Sequence, residues 1–286
     1  NVFLTHIFQD TLVGFHVLLF ITSVFCYGAL EQWIERHAIT YGICVITFYF
    51  LSNQSYMSAI RQSVAVGFIL WALMAMEDLN GRKRYIVYAL LIAFATLFHK
   101  TAVVALIFPF LMKREYTRNT TWLLMLITLV ATLTNVVSSV ISILGLRTGY
   151  VTTEIGNAVN VGVVSLLYFA LLLLRLICDN SSYIMDEGTA DIENTAYGDS
   201  FYTYCIALSL AVTVMSLRAA GMSRLNMYLQ LVGLPYVSNI MRRIENQRVA
   251  FIVKVVFSMA IWGYSVIALI YRPEWQHIWP YHFYWQ

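Results

Sequence analysis

Hydrophobic positions in this chain do not alternate with polar ones; they fill long runs separated by short polar clusters. Leu12 to Trp33, Met57 to Glu77, Thr121 to Leu144, Ala158 to Cys178, Phe201 to Leu217, Met222 to Ile240 and Ala250 to Tyr271 each suit a membrane crossing, which takes about 20 residues of helix. Ile39 to Ser52, Tyr85 to Phe98 and Thr101 to Met112 are shorter, reaching at most about 21 Å as helix. Short, interrupted apolar segments are how membrane proteins build sites near mid-depth from broken helices. The pattern predicts an all-α polytopic membrane protein with about ten transmembrane or half-membrane helices. It forms one integral-membrane domain over residues 1–286, with 179–199 as a mobile acidic cytoplasmic loop.

Composition excludes a soluble domain. Of 286 residues, 60% are hydrophobic and 12% charged, and the mean hydropathy is +0.70, whereas soluble domains carry about 25% charged residues. The net charge of +3 gives no reason to expect a nucleic-acid partner, because in a membrane protein the side that carries the charge matters more than its sum. Cys26, Cys44, Cys178 and Cys205 show no paired spacing and read as small core hydrophobes, neither disulfides nor metal ligands. The chain begins at Asn1 without Met, so a further N-terminal segment is expected.

Lys and Arg in short loops set the orientation. Alternating the passes puts Arg36, Arg82 to Arg84, Lys113, Arg114, Arg118, Arg242, Arg243 and Arg248 on one side, which is then cytoplasmic. Asn53, Arg61, His99, Lys100, Arg147, Arg218 and Arg224 fall on the other.

These outer cations sit where helices begin. Arg61 is expected about six residues, or roughly 9 Å, inside a helix starting near Ser55. Lys100 precedes another start, with Thr101 as its N-cap, and Arg224 follows Ser223 at a third. A helix N-terminus already carries about half a positive charge, so a cation there is locally unfavourable. Three repetitions of that choice point to an anionic ligand, because free N–H groups and guanidinium forks both grip phosphate. On this reading Arg61 and Arg224 bind phosphate, with Arg218, Lys100 and Arg147 as weaker contacts. Gln62 and Asn53 orient the ligand. His99 is the general base or hydrogen-bond donor, its unperturbed pKa lying near about 6.5.

Each residue has a plainer role to set beside this. Arg61 can snorkel to outer headgroups, and His99 can be a satisfied interior histidine at a helix break. Lys100, Arg147 and one of Arg218 and Arg224 can be interfacial anchors. HExxH, GxSxG and Walker A patterns are absent, and no acidic cluster faces outward to hold a metal. No cofactor or metal is expected; cations alone can stabilise a departing pyrophosphate.

Ile60-Arg61-Gln62-Ser-Val-Ala65, followed about 35 residues later by Phe98-His99-Lys100-Thr101-Ala102, resembles the EpsG-like, Wzy-type bacterial polysaccharide polymerases. Arg224-Leu225 and Pro280-Tyr281 fit the same pattern. The family's usual beginning, a first helix and an outer loop with a Gly-x-Asp-Tyr type motif, does not occur before Asn1, so a catalytic carboxylate carried there lies outside this sequence. The resemblance implies polymerisation of undecaprenyl-pyrophosphate-linked repeat units into exopolysaccharide, capsule or O-antigen at the outer face of the bacterial inner membrane. It implies a metal-independent, GT-C-like membrane glycosyltransferase, with a chain-length regulator and a flippase as partners. The alternatives are a transporter or flippase of an anionic lipid-linked sugar, and a membrane acyltransferase using His99 as base.

Overall fold

The computed structural model describes residues 11–134, 155–180, 198–217, 222–244 and 246–271. Among these the regular structure is entirely helical: α1 (Thr11–His37), α2 (Tyr41–Leu51), α3 (Asn53–Ser58), α4 (Ile60–Asp78), α5 (Arg82–Phe98), a 3-10 run (Lys100–Ile107), α6 (Phe108–Leu111), α7 (Arg118–Leu133), α8 (Ile155–Asn180), α9 (Gly198–Met215), α10 (Ser223–Val232), α11 (Pro235–Arg242) and α12 (Gln247–Tyr271). Among the described residues five helical stretches are long and apolar enough to cross a bilayer: His16–His37, Ile60–Asp78, Val161–Cys178, Gly198–Met215 and Gln247–Ala268. Tyr41–Leu51, Lys100–Leu111 and Arg118–Leu133 are apolar but shorter. In hydrocarbon only internally bonded helices or closed barrels satisfy the backbone, so this is a multi-pass membrane protein of the helical kind. On α12 Phe251, Ile252, Val256, Met259 and Ile270 are exposed, an apolar face suited to lipid.

The fold corrects the expected helix starts. The segment from Met57 to Glu77 is two helices, broken at Ala59 (φ −106, ψ 54). Arg61 is therefore in the first turn of α4, closer to a helix start than the pattern predicts. The Ser63 hydroxyl donates to the Tyr56 carbonyl, compensating a carbonyl that the break leaves outside the helical ladder. Beyond His99 no α-helix begins. The Ala102 N–H donates to the His99 carbonyl at 2.9 Å, closing the tighter i→i+3 ring of a 3-10 run. Thr101 is consequently no N-cap; its hydroxyl faces the His99 ring. Met222 to Ile240 is also two helices, interrupted at Gly233 and Leu234 where Pro235 removes a donor.

The chain forms two compact units, Asn1–Arg36 with Tyr56–Leu106, and His37–Ser55 with Ile107–Gln286. In the first, α4 and α5 are an antiparallel hairpin joined at Gly81, whose φ of +66° suits glycine. Phe68 stacks on Phe94 and Phe98, with centroids 6.1 and 5.6 Å away. α1 runs parallel to α4: Arg36 Nη1 holds both Asp78 carboxylate oxygens at 3.0 and 3.1 Å, and Phe25 packs on Phe68 about three turns back on each helix. A Cβ on Gly67 would meet Phe25 Cε1 at 2.6 Å, so the small residue permits that approach.

In the second unit α9 is central, packing against α7, α8, α10 and α11, while α2 packs on α11 and α12. One end of this unit is tied by charge. The carboxylate of Asp199, 8% exposed, accepts from Arg175 and, at 2.9 Å, from Arg243 Nη2. Arg175 also donates to Thr203 at 2.6 Å. Asp199, which the pattern places in the acidic loop, is thus the second residue of α9 and buried; residues 181–197 lie outside the described ones. The four cysteines are free and buried, as expected of core hydrophobes.

Candidate functional site

The first unit has two chemically different ends. Arg36, Glu77, Asp78 and Arg82 to Arg84 lie at the end where α1 and α4 finish and α5 begins. Its described carboxylates, Glu31, Glu35, Glu77 and Asp78, all fall toward that end. At the other end α4 begins and α5 finishes, so Arg61, Gln62, His99 and Lys100 are gathered there by the hairpin. No described carboxylate of this unit lies at that end.

Local structure sets each of these side chains. α4 starts without a side-chain cap, and the Gln62 and Ser63 N–H groups donate to the Ala59 carbonyl at 2.8 and 2.9 Å. Arg61 is exposed and Gln62 buried. The tyrosine before the break is fixed: Tyr56 is 2% exposed and donates to the Cys26 carbonyl at 3.0 Å. His99 terminates α5 with extended backbone (φ −148, ψ 112), its N–H on the Ala95 carbonyl at 3.0 Å. Its ring is half-buried, and Nδ1 lies 2.7 Å from Thr101 Oγ1. Lys100 is exposed at the head of the 3-10 run. The run itself is held to α5, because Tyr88 donates to the Ala105 carbonyl at 2.5 Å.

An imidazole with one nitrogen oriented, at the same end of the hairpin as an exposed guanidinium and an exposed ammonium, can hold an anion and move a proton beside it.

The remaining sequence candidates are in the second unit or outside the described residues. Asn53 begins α3, and Arg224 is exposed in the first turn of α10, also uncapped by a side chain. Arg147 and Arg218 lie outside the described residues. The charged knot of Arg175, Asp199 and Arg243 was not singled out by the pattern, although an arginine inside the apolar run Leu171 to Cys178 is a signal that a partner exists. A second omission is a set of uncharged polar residues on α9 and α10. Ser223, Asn226 and Gln230 are spaced three and four apart, which puts them on one helix face.

A family model described as the EpsG family matches residues 2–283. No curated protein and no solved structure matches the chain.

Proposed function

This chain belongs to the EpsG family, and we propose that it polymerises lipid-linked oligosaccharide repeat units at the outer face of a bacterial inner membrane. Its multi-pass helical architecture and its family accord with a part in polysaccharide biosynthesis. The finer reading is that the units are carried on undecaprenyl pyrophosphate. The observation that carries it is the end of the first unit, where Arg61, His99 and Lys100 gather with no described carboxylate to neutralise them.

The chemistry follows from that charge. An acceptor sugar hydroxyl attacks the anomeric carbon of the growing chain. A new C–O bond forms as the bond to the pyrophosphate oxygen breaks, and the electron pair leaves with the pyrophosphate. His99 accepts the hydroxyl proton. Arg61 and Lys100 stabilise the negative charge that develops on the leaving group, the role a divalent metal has in other phosphate chemistry. Gln62 and Asn53 orient the ligand. Arg224 in the second unit is a phosphate contact by its place at a helix start, with Arg147 and Arg218 as weaker ones.

The test is reconstitution of the full chain in proteoliposomes with one lipid-linked repeat unit. A ladder of longer chains with release of the lipid pyrophosphate supports the polymerase. Translocation of the unit without elongation would assign the protein to transport instead.

A further inference from the structure

The second unit holds a cavity of about 150 Å³, bounded by the ends of α2 and α9 and the starts of α8 and α10. It lies at the opposite end of α8 and α9 from the Arg175–Asp199–Arg243 knot. None of its lining residues is charged, and most of the polar ones are hydroxyls and amides. Two of those groups await a partner. Thr213 is 5% exposed and its Oγ1 has no hydrogen-bond partner among the described residues; the same holds for Asn226 Oδ1. The rest of the wall is arranged: Gln230 Nε2 donates to Ser52 Oγ at 2.7 Å, Asn226 Nδ2 donates to the Tyr168 hydroxyl at 3.5 Å, and Ser216 donates to the Thr213 carbonyl at 2.6 Å. Tyr264 adds an aromatic ring to one side.

Buried polar groups in native proteins are rarely left unsatisfied, so the two orphans call for an occupant that can hydrogen-bond. Anions are disfavoured, because among the described residues no cation lines the space and amide and hydroxyl oxygens would face them. A lipid tail is disfavoured by the polar wall. An apolar protein cavity of about 150 Å³ accommodates one six-membered ring. The polar counterpart of that ring, with hydroxyls that both donate and accept and a C–H face to lie on tyrosine, is a pyranose.

We propose that this cavity binds one pyranose ring of the acceptor saccharide, a subsite that rests on the polymerase reading for its role but on its own geometry for its ligand. Ser55 and Ser223 are exposed where the saccharide enters.

The experiment is ligand-observed saturation-transfer NMR on the full chain in nanodiscs. The probes are the methyl pyranosides of glucose, galactose, rhamnose and N-acetylglucosamine, with inorganic pyrophosphate as the anionic control. At least one pyranoside should show ring-proton transfer absent from empty nanodiscs. Thr213→Val, which removes the hydroxyl at nearly constant volume, should weaken it by about fivefold to tenfold, the loss of one neutral hydrogen bond. Thr213→Phe should abolish it. No transfer to any pyranoside, or equal transfer to the wild type and to Thr213→Val of matched thermal stability, overturns the proposal. Binding of pyrophosphate that Thr213→Phe removes also overturns it, by making the space an anion site. Pyranoside binding by a protein that never elongates a chain would keep the subsite and refute the polymerase.

Discussion

His99 Nδ1 and Thr101 Oγ1 lie 2.7 Å apart across the point where α5 gives way to the 3-10 run. This contact fixes the rotation of the imidazole. A base must be oriented before its pKa matters. Thr101→Val should therefore reduce elongation, by about tenfold to a hundredfold on the scale of a partner that orients a functional histidine. Thr101→Ser, which keeps the oxygen, should restore most of it. Initial rates of chain growth in proteoliposomes check this, and equal rates for Val and Ser would remove Thr101 from the account.

The knot in the second unit makes the opposite kind of prediction. Asp199 neutralises Arg175 and Arg243, which are 11% and 18% exposed at the side chain. Removing one partner of a buried ion pair costs about 3–5 kcal/mol, because the other charge stays buried without compensation. Asp199→Ala should lower the unfolding midpoint in detergent sharply, and Arg61→Ala should barely move it. Thermal unfolding of the two variants side by side tests whether the knot is architecture and the exposed arginine is chemistry.

Packing in the first unit is tested at Gly67. Its missing Cβ lets Phe25 sit where a methyl would be 2.6 Å away. Gly67→Ala should cost about 1–3 kcal/mol through overpacking. Pairing it with Phe25→Leu should recover a good part of that loss, since the ring is what the methyl meets. Additive losses in the double variant would mean that the two helices do not depend on this approach.

Topology has its own check. A cysteine at Asn80, in the turn between α4 and α5, should resist an impermeant thiol reagent added to intact cells, whereas one at Lys100 should react. The native cysteines are buried, which keeps the background low. Reaction at both positions, or at Asn80 alone, would reverse the sidedness on which the outer-face reading depends.

Most of this architecture is legible in the hydrophobic pattern, because a bilayer demands long apolar helices and punishes anything else. The runs from Leu12, Ala158 and Ala250 appear in the structure with ends displaced by only a few residues. The breaks were harder to place. Ala59 carries no helix-breaking chemistry, and its break is compensated by the Ser63 hydroxyl, a tertiary detail that propensity does not encode. The break before Pro235 had a signal in the proline itself. For the site, single cations in apolar surroundings stand out, so Arg61, His99 and Lys100 are visible along the chain. Thr213, Asn226 and Gln230 are not, because an uncharged polar residue in a membrane helix costs little and bonds its own backbone easily. Only the structure shows that two of them keep unpartnered oxygens around a shared space.

The central claim is that Arg61 grips a pyrophosphate, and its fork geometry allows a direct measurement. Guanidinium binds phosphate oxygens in bidentate fashion, while ammonium is a compact point charge that cannot. An anchor that merely snorkels would tolerate the exchange, since both side chains reach the interface. The measurement is the length distribution of surface polysaccharide made with Arg61→Lys, at wild-type protein abundance. The account predicts short products for Arg61→Lys and Arg61→Ala alike. Elongation should be slowed about 10²–10³-fold, by analogy with the loss of one transition-state donor worth about 2.7–4 kcal/mol. Wild-type chain lengths with Arg61→Lys would contradict it.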